Sequence, residues 1–482
     1  MTLYYNRTKG VMSMAYAQQE GTRHTSFAME DTDNGSRARS HVIVVEDAPE
    51  TQQAAARQAR KQAYLALTGS ALLQLPIWGF AMTFGVFQEY LARTNTPRGS
   101  ASSSGIIGNV QNGVMYLMMP MLFTLLDRGR WSVFRRSVAI TGILLSTISF
   151  LLSSFSTQLW HSIILQGVLA ALGNTMLYSP TTLYLDEHFK AGRATAYGAI
   201  LSSKNIVGTA CPLIFSALLD SIGFRWTLRI WSLIVLITGL AGIGVMPKQS
   251  STSAVRRSPQ KVPWSFLKHK TFYIYSIANA IFSAGYGIPQ TYLSSYARDT
   301  LHLSTISSAL MITLFNIPGI ISCVGFGLMS DKAGISATAN TLISAAGTSL
   351  TALLLWGLAS NRIEAVLILF AICCGFFAGG YSSTWGGWIK EFEKEAAENN
   401  EALNTGMLYG MFNGARGIGY VVSGLAGVEL LRAGPVQDSR RWGYGTEYGS
   451  LILFTGLSAI VGGWSVVFRG WSKARRCWTM LH

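Results

Sequence analysis

Two basic residues, Lys204 and Arg416, lie inside stretches of the chain that are otherwise apolar or small. Lys204 stands in the segment YGAILSSKNIVG, and Arg416 stands in YGMFNGARGI. If these stretches cross a bilayer, each residue places a cation in hydrocarbon at an apparent cost of about 2.5–3.5 kcal/mol. Ionisable groups at membrane depth are functional candidates by default, and a buried cation favours an anionic ligand. The first question is therefore whether a bilayer surrounds them.

The composition of the 482-residue chain is that of an integral membrane protein. Hydrophobic residues make up 49% of it, charged residues make up only 13%, and the mean hydropathy is +0.31. The apolar residues come in blocks of about 20, enough for a helix to span the hydrocarbon of a bilayer. We predict an all-α integral membrane protein with twelve transmembrane helices, numbered in chain order, at residues 66–89, 104–126, 137–157, 162–185, 194–219, 227–246, 271–296, 305–330, 337–359, 365–387, 403–428 and 448–468.

The positive charges of the loops predict how these helices are oriented. Lys and Arg are concentrated after helices 2, 6 and 12, whereas the loop between helices 3 and 4 contains neither. Because cytoplasmic loops carry the excess of positive charge, we predict that both termini are cytoplasmic. This topology largely explains the formal net charge of +15. A lipid bilayer is therefore the expected partner, and a nucleic acid is not.

This organisation divides the chain into five segments. Residues 1–63 are polar and of mixed charge, and we predict that they form a disordered cytoplasmic tail. A six-helix bundle follows over residues 64–246, a cytoplasmic linker over 247–270, and a second six-helix bundle over 271–468. Residues 469–482 are predicted to form a cytoplasmic C-terminal tail.

The two six-helix bundles are related by an internal repeat. Asp127 after helix 2 is matched by Asp331 after helix 8, an offset of 331 − 127 = 204. The segment YSPTTLYLDEHF in helix 4 is matched by YSSTWGGWIKEF in helix 10. Lys204 and Arg416 hold matching positions in helices 5 and 11, with an offset of 416 − 204 = 212. The predicted acidic loop EKEAAENNE accounts for the longer offset, so the chain consists of two duplicated halves.

The twelve predicted helices and the loop motif after helices 2 and 8 resemble those of the major facilitator superfamily. The second half matches the loop motif closely, at Gly327, Asp331, Lys332 and Gly334. The first half keeps the Asp-Arg pair but has other residues where the glycines would stand. The resemblance implies a fold of two pseudo-symmetric six-helix bundles.

Within that superfamily the chain resembles the fungal branch of the monocarboxylate porters. The resembling stretches are FGVFQEY (84–90), HFKAGRATAYGA (188–199) and ARGIGYVVSG (415–424). The sequence departs from the animal members of the family in two places. The segment LPIWGF (75–80) lacks their acidic residue in the first helix, and LFNIPGIISCVG (314–325) lacks their Asp/Arg pair in helix 8.

The resemblance implies that helices 5 and 11 face each other across a central cavity. Lys204 and Arg416 would then approach a substrate from opposite halves. We predict that the substrate is an organic anion, monocarboxylate-like or a carboxylated metabolite, which Arg416 binds with a bidentate fork and Lys204 with a point charge. The resemblance also implies that the halves are locked together at the cytoplasmic face by four charged residues: Asp127, Arg128, Asp331 and Lys332.

Other polar residues at membrane depth are weaker candidates to line the cavity, since amide side chains also join helices to one another. Two alternatives remain open for the cations. Both can bond the carbonyl groups of a neighbouring helix without a ligand, and Lys204 can be uncharged because burial disfavours the charged form. The additional candidates for substrate binding are Asn112, Asn205, Asn316, Asn413 and Tyr178.

These features predict a secondary active transporter that works by alternating access. The alternatives are an exporter of a fungal secondary metabolite and a transporter-like nutrient sensor. The chain has no phosphate-binding loop for ATP. Proton coupling is implied by the resemblance alone, because the predicted helices carry no Asp or Glu at mid-membrane. Facilitated diffusion and anion exchange fit the residues equally well.

An enzyme is not expected, because no nucleophile with its base and no carboxylate pair lies at membrane depth. No cofactor and no metal site are expected either. The resemblance favours a monomer in the plasma membrane, with the vacuolar membrane as the alternative location.

Overall fold

The computed structural model describes most of the chain, in two compact units, Met1–Ala63 and Tyr64–His482. A helix over Pro49–Leu72 begins in the first unit and ends in the second. The residues described are 2–6, 11–15, 25–30, 41–45, 49–99, 103–127, 129–189, 193–247, 264–331, 335–359, 363–436 and 442–466.

The first unit contains four short strands: β1 (Thr2–Asn6), β2 (Val11–Ala15), β3 (Thr25–Glu30) and β4 (His41–Val45). Their order in the sheet is β2-β1-β3-β4, with β1 and β3 parallel and the outer pairs antiparallel. The structure differs here from the predicted disordered tail, because β-branched runs such as HVIVV favour strands. The cytoplasmic location of this segment stays a prediction.

The helices of the first half follow the predicted spans. Helix 4 is assembled from an α-helical turn, a π-helical segment and an α-helix. Helices 5 and 6 are two helices that meet at a kink at Gly223, whose φ of +75° is a conformation that glycine adopts without strain. The bounds are Gln74–Thr94 (helix 1), Gly105–Asp127 (helix 2), Arg135–Ser153 (helix 3), Leu159–Ser162, Ile163–Leu169 and Ala170–His188 (helix 4), and Arg193–Val245 (helices 5 and 6).

The second half repeats the arrangement. Helix 9 ends in a π-helical segment, and helix 10 is interrupted by a 3-10 turn, Tyr381–Thr384. The bounds are Lys270–Asp299 (helix 7), Thr305–Asp331 (helix 8), Ala337–Leu350 and Thr351–Trp356 (helix 9), Glu364–Gly380 and Trp385–Glu398 (helix 10), Thr405–Ala433 (helix 11) and Gly449–Val461 (helix 12).

Seven of the described helices are long and apolar enough to cross a membrane, and one of them, Gly198–Val245, contains two predicted spans. Helices 2, 7, 11 and 12 are not among the seven. Helices 2, 7 and 11 contain many glycine and polar residues, which lower their mean hydropathy, whereas helix 12 is apolar but only 13 residues long. The prediction of an all-α membrane protein is confirmed, whereas the count of twelve crossings stays a prediction.

The end of helix 10 differs from the prediction, and two predicted segments cannot be compared with the structure in full. Helix 10 continues to Glu398, so most of the segment EKEAAENNE (393–401) is helical and the prediction of a loop there is wrong. Ala, Glu and Lys are strong helix formers, which explains the extension. Most of the predicted linker 247–270 and all of the C-terminal tail 469–482 lie outside the described residues.

The two halves pack against each other along helices 2 and 11. A Cβ atom added to Gly417 would lie 2.7 Å from the backbone nitrogen of Leu117 and 2.8 Å from the carbonyl oxygen of Gly113. Small residues permit such a close approach of helix backbones in membranes. Helices 5 and 8 form a second contact, in which Thr313 Oγ1 donates a hydrogen bond of 2.9 Å to the carbonyl oxygen of Thr209. These two contacts bring helices 5 and 11 into one central region.

The start of helix 7 is bound to the segment after helix 10 through an ionisable pair. His269 Nε2 lies 2.8 Å from Glu401 Oε2, and Thr271 Oγ1 donates a hydrogen bond of 3.1 Å to Glu395 Oε1. The hydrogen bond with His269 holds the pKa of the Glu401 carboxyl below its usual value. A carboxyl whose pKa is lowered on folding stabilises the protein above its unfolded pKa, and the contribution is lost as pH falls through the folded pKa.

We therefore expect Glu401→Gln to lower the melting temperature of the purified protein slightly at neutral pH. The difference from wild type should shrink as the pH falls below the usual pKa of a glutamate and through the lowered pKa of the folded state. Melting curves at several pH values check this. Glu398→Gln, which removes a carboxylate from an exposed pair with Lys394, is the control. A difference that does not depend on pH would contradict the prediction.

Candidate substrate-binding site

Lys204 lies in helix 5 with its ammonium group against two aromatic side chains of the same half. Its Nζ is 3.9 Å from the centroid of the Trp78 ring, which belongs to helix 1. The same atom donates a hydrogen bond of 3.4 Å to the hydroxyl of Tyr116 in helix 2. The sequence analysis placed this cation correctly within a helix of the bundle but did not predict these aromatic partners.

Arg416 lies in helix 11 and is only 4% exposed. Its Nη1 donates a hydrogen bond to Ser382 Oγ in the 3-10 turn of helix 10, whereas its Nε has no hydrogen-bond partner among the described residues. The guanidinium carbon lies 5.4–5.8 Å from the centroids of four aromatic rings, which belong to Tyr116, Tyr286, Trp385 and Tyr420.

Ser382 and Trp385 were not predicted as neighbours of this cation. The sequence held a signal for Ser382, because it matches Ser179 of helix 4 in the internal repeat, at an offset of 382 − 179 = 203. Trp385 is buried, packs against Trp388, and has its ring centroid 5.8 Å from the guanidinium carbon of Arg416. Tryptophan presents a π face to cations more effectively than other aromatic residues do.

Tyr116 connects the two cations. It accepts the hydrogen bond from Lys204, and its ring lies 5.4 Å from the guanidinium carbon of Arg416. The ring also stacks on Tyr420 of the other half, with centroids 5.6 Å apart and an interplanar angle of 21°. Among the described residues, the ion pairs involve neither Lys204 nor Arg416. A buried arginine and a half-buried lysine from opposite halves thus share one aromatic residue and have no carboxylate partner in the part of the chain that the structure describes.

Two of the predicted asparagines bond to their own helices. Asn112 Nδ2 donates to the carbonyl oxygen of Gly108 at 3.1 Å, and Asn413 Nδ2 donates to that of Tyr409 at 2.9 Å. Both contacts reach back one helical turn and leave the amide oxygen able to accept from another partner. Their role in substrate binding stays a prediction.

The other two asparagines lie between helices 5 and 8. Asn316 Nδ2 donates a hydrogen bond of 3.1 Å to the carbonyl oxygen of Gly208. Asn205 Nδ2 donates to Cys323 Sγ at 3.4 Å. This geometry favours the alternative in which amides join helices, because both side chains are buried in the contact between the halves.

Tyr178 of helix 4 lies on the Lys204 side of the site. Its ring meets the Trp78 ring edge to face, with centroids 5.9 Å apart and an interplanar angle of 85°. Tyr178 is 6% exposed. It therefore supports the ring that faces the lysine, and a direct contact with substrate stays a prediction.

Asp127, predicted to lock the halves, does connect them. Its Oδ2 accepts a hydrogen bond of 3.1 Å from Asn404 Nδ2, which caps the start of helix 11. Its Oδ1 lies 3.7 Å from Nη2 of the buried Arg135. The locking residues Arg128 and Lys332 lie outside the described residues, as does the side chain of Asp331. Their part in the lock stays a prediction.

A second charged link between the halves was missed. Glu89 at the end of helix 1 is 4% exposed and lies 3.1 Å from Arg298 Nε, which belongs to helix 7. Arg93 Nε, one turn along helix 1, binds the same carboxylate at 3.2 Å. The sequence marked Glu89 only as a helix-end group, because nothing local shows that two residues 298 − 89 = 209 positions apart meet.

We expect Arg298→Gln to lower the free energy of unfolding by about 1–3 kcal/mol, because it leaves the buried Glu89 with one partner instead of two. The matched control is Asp220→Asn, which removes an exposed pair with Arg93 inside one half and should cost below about 1 kcal/mol. Melting curves of the purified variants measure both effects. Equal melting temperatures for the two variants would contradict the prediction.

The same link should hold the ends of helices 1 and 7 together. We expect a cysteine at Ser295, one turn before Arg298, to react faster with a membrane-impermeant maleimide when Arg298→Gln is also present. An unchanged labelling rate would mean that the ion pair does not close this face.

The fold of two facing helical halves, with paired cations between them, defines the architecture of a membrane transporter. A family model described as the Major Facilitator Superfamily matches residues 66–424. The chain therefore belongs to this superfamily.

Three curated relatives share between 24% and 26% identity with the chain. The MFS-type transporter pynF of Aspergillus niger is 24% identical over 83% of this chain and 87% of its own length. The Fujikurins efflux protein of Gibberella fujikuroi is 24% identical over 64% of each chain. Monocarboxylate transporter 13 of Bos taurus is 26% identical over 53% of this chain and 58% of its own. The relatives thus include fungal MFS-type transporters as well as a monocarboxylate transporter.

A solved structure shares the fold. A single-residue mutant of the nucleoside transporter NupG superposes with a TM-score of 0.61 and 17% sequence identity. The match covers 84% of this chain and 98% of the NupG chain. At that identity the likeness establishes the architecture alone.

Proposed function

We propose that the chain is a secondary active transporter that moves an organic anion by alternating access. In this proposal Arg416 and Lys204 form the anion site, each contributed by a different half. The observation that carries the proposal is that both cations are bound to Tyr116 while the described ion pairs include neither of them.

The energetics favour a ligand over a purely structural role. Burying a charge costs several kcal/mol even after the surrounding protein relaxes. The rings around Arg416 lie 5.4–5.8 Å from its guanidinium carbon, close to the outer limit of about 6 Å for a cation–π contact. These rings and the bond to Ser382 therefore offset only part of the cost. An anion between the two cations would neutralise the rest and would satisfy the Nε of Arg416.

Export of a secondary metabolite is the form of this function that the relatives favour. The Fujikurins efflux protein is one of them, and the Aspyridones efflux protein apdF of Emericella nidulans is another. The pairing of Glu89 with Arg298 joins the helix ends that are predicted to face the extracellular side, and the hydrogen bond between Asp127 and Asn404 joins the halves at the predicted cytoplasmic side, so the proposal of export rests on the relatives alone. A transporter-like sensor is excluded if the protein catalyses flux in liposomes.

We also propose that transport is coupled to protons, and the support for this is the family resemblance alone. It is tested by anion uptake into liposomes with and without a pH gradient, at fixed membrane potential. Equal uptake would exclude proton coupling and favour facilitated diffusion or exchange. Location in the plasma membrane and the monomeric state stay predictions.

The decisive experiment is ligand-induced thermal stabilisation of the purified protein by a panel of carboxylates, amines and neutral solutes. Wild type, Lys204→Ala and Arg416→Ala are compared, and Arg432→Ala, at an exposed pair on helix 11, is the control. We expect anions alone to stabilise wild type and the control, and both site variants to lose the effect. Equal stabilisation of all four proteins by neutral or cationic compounds would show that the two cations are structural.

A further inference from the structure

Four buried aromatic rings form a continuous row of contacts that crosses from one half to the other. We call it the aromatic wall, and its members are Trp78, Tyr116, Tyr420 and Tyr286, from helices 1, 2, 11 and 7. Neighbouring centroids are 5.6 Å apart from Trp78 to Tyr116, 5.6 Å from Tyr116 to Tyr420, and 6.4 Å from Tyr420 to Tyr286. All four residues are 7% exposed or less.

Both cations lie against this wall. Lys204 stands over Trp78, and Arg416 stands beside Tyr116, Tyr420 and Tyr286 at 5.4–5.8 Å. The Nε of Arg416, which has no partner among the described residues, is therefore a buried donor surrounded by ring surface. A ligand that reaches this donor must also lie against aromatic side chains.

We propose that the transported anion is a planar acid whose charge is attached to an aromatic or conjugated ring, rather than a compact aliphatic carboxylate. This inference rests on the proposed function, because it assumes that Arg416 and Lys204 bind an anion. The acidic group lies between the two cations, and the ring stacks on the aromatic wall.

The electrostatics of the rings discriminate between the two kinds of anion. The face of an aromatic ring is negative and its edge is positive. A compact carboxylate held against ring faces is repelled by them, and its small aliphatic part covers little of their area. A planar acid keeps its charge at the cations while its own ring makes offset or edge-to-face contacts with the wall. Ligand sites commonly combine such an apolar surface with a few polar groups that fix orientation.

The test uses a pair of probes of the same charge and similar size, benzoate and cyclohexanecarboxylate. Their half-saturating concentrations are measured by thermal stabilisation of the full-length protein. Cyclohexanecarboxylate is the less planar and more aliphatic of the two, so hydrophobicity alone would favour it. We expect benzoate to bind about tenfold more tightly. The larger planar acid 2-naphthoate should bind more tightly still.

Substitutions in the aromatic wall show whether its residues cause the preference for benzoate over cyclohexanecarboxylate. Tyr116→Leu should abolish the ratio between benzoate and cyclohexanecarboxylate, whereas Tyr116→Phe should keep it. If Tyr116→Leu does not fold, Tyr286→Leu provides the same test on the other half. Tyr273→Leu, at an exposed tyrosine of helix 7, is the control and should leave the ratio unchanged.

Each outcome has one meaning. A ratio of one, or a preference for cyclohexanecarboxylate, would overturn the planar substrate class and leave the anion transporter intact. A ratio that survives both leucine variants would also overturn it. Equal stabilisation by benzoate and the neutral benzamide would instead overturn the proposed function, because the cations would then contribute nothing.

Discussion

We expect that replacing Arg416 with lysine lowers the affinity for 2-naphthoate by about 10- to 150-fold, although the charge is retained. The reason is geometric. The guanidinium group bonds Ser382 through Nη1 and keeps Nε, which has no partner among the described residues, for the anion, whereas lysine has one shorter, rotating ammonium group. Hydrogen bonds to charged groups contribute about 1.5–3 kcal/mol each, which corresponds to this loss. The reciprocal change Lys204→Arg should cost far less, because Lys204 acts as a point charge.

Thermal stabilisation by 2-naphthoate measures the loss directly, and counterflow of the same anion in liposomes shows whether transport follows. Arg432→Lys on the exposed end of helix 11 is the matched control. An affinity in Arg416→Lys that equals wild type would show that charge alone matters at this position. The bidentate role of the arginine would then be wrong.

Replacing Gly375 with alanine should destabilise the second half by at least about 3 kcal/mol. A Cβ atom at this position of helix 10 would lie 2.0 Å from the carbonyl oxygen of Phe315 and 2.8 Å from its carbonyl carbon. Both atoms belong to the backbone of helix 8, so no side chain can rotate to relieve the overlap. The two helices must separate, and the buried groups between them lose their contacts.

The matched control is Gly325→Ala in helix 8, where an added Cβ meets no atom within 4 Å. Alanine is favoured over glycine in a helix by up to about 1 kcal/mol, so this variant should be as stable as wild type or slightly more stable. Melting temperature and the recovered monodisperse fraction in detergent measure both variants. A Gly375→Ala protein as stable as the control would mean that helices 8 and 10 are less closely packed than described.

The sequence was sufficient to predict the positions of most helices and the presence of Lys204 and Arg416 on helices of opposite halves. Apolar blocks of helical length define membrane segments because hydrocarbon excludes unpaired backbone groups. Lys204 and Arg416 could be paired because duplication placed them at matching positions, and the family resemblance supplied the geometry of helices 5 and 11. These inferences depend on local composition and on one long-range symmetry.

The partners of the cations could not be predicted in the same way. Trp78 and Tyr286 reach the site from helices far away in sequence, and aromatic residues in a membrane protein are equally common at interfaces and in packing. The same holds for Glu89 and Arg298, which meet only when the halves are assembled. The asparagines show the converse difficulty, because an amide at membrane depth has the same sequence signature whether it binds a ligand or a neighbouring helix.

The close contact of Gly417 with Gly113 has a mechanical consequence for the molecule. Where two helices touch through glycine, their backbones approach closely, so the contact point lies near both helix axes. The contact lies between Asp127, bound to Asn404 at one end of helix 2, and Asn109, which donates to Thr291 at the other. If helix 2 tilts so that one of its ends moves away from the second half, its other end moves toward the second half. The glycine contact is then the pivot of this motion. The conformation that the carrier adopts without substrate then depends on the relative strength of the hydrogen bonds at the two ends of helix 2.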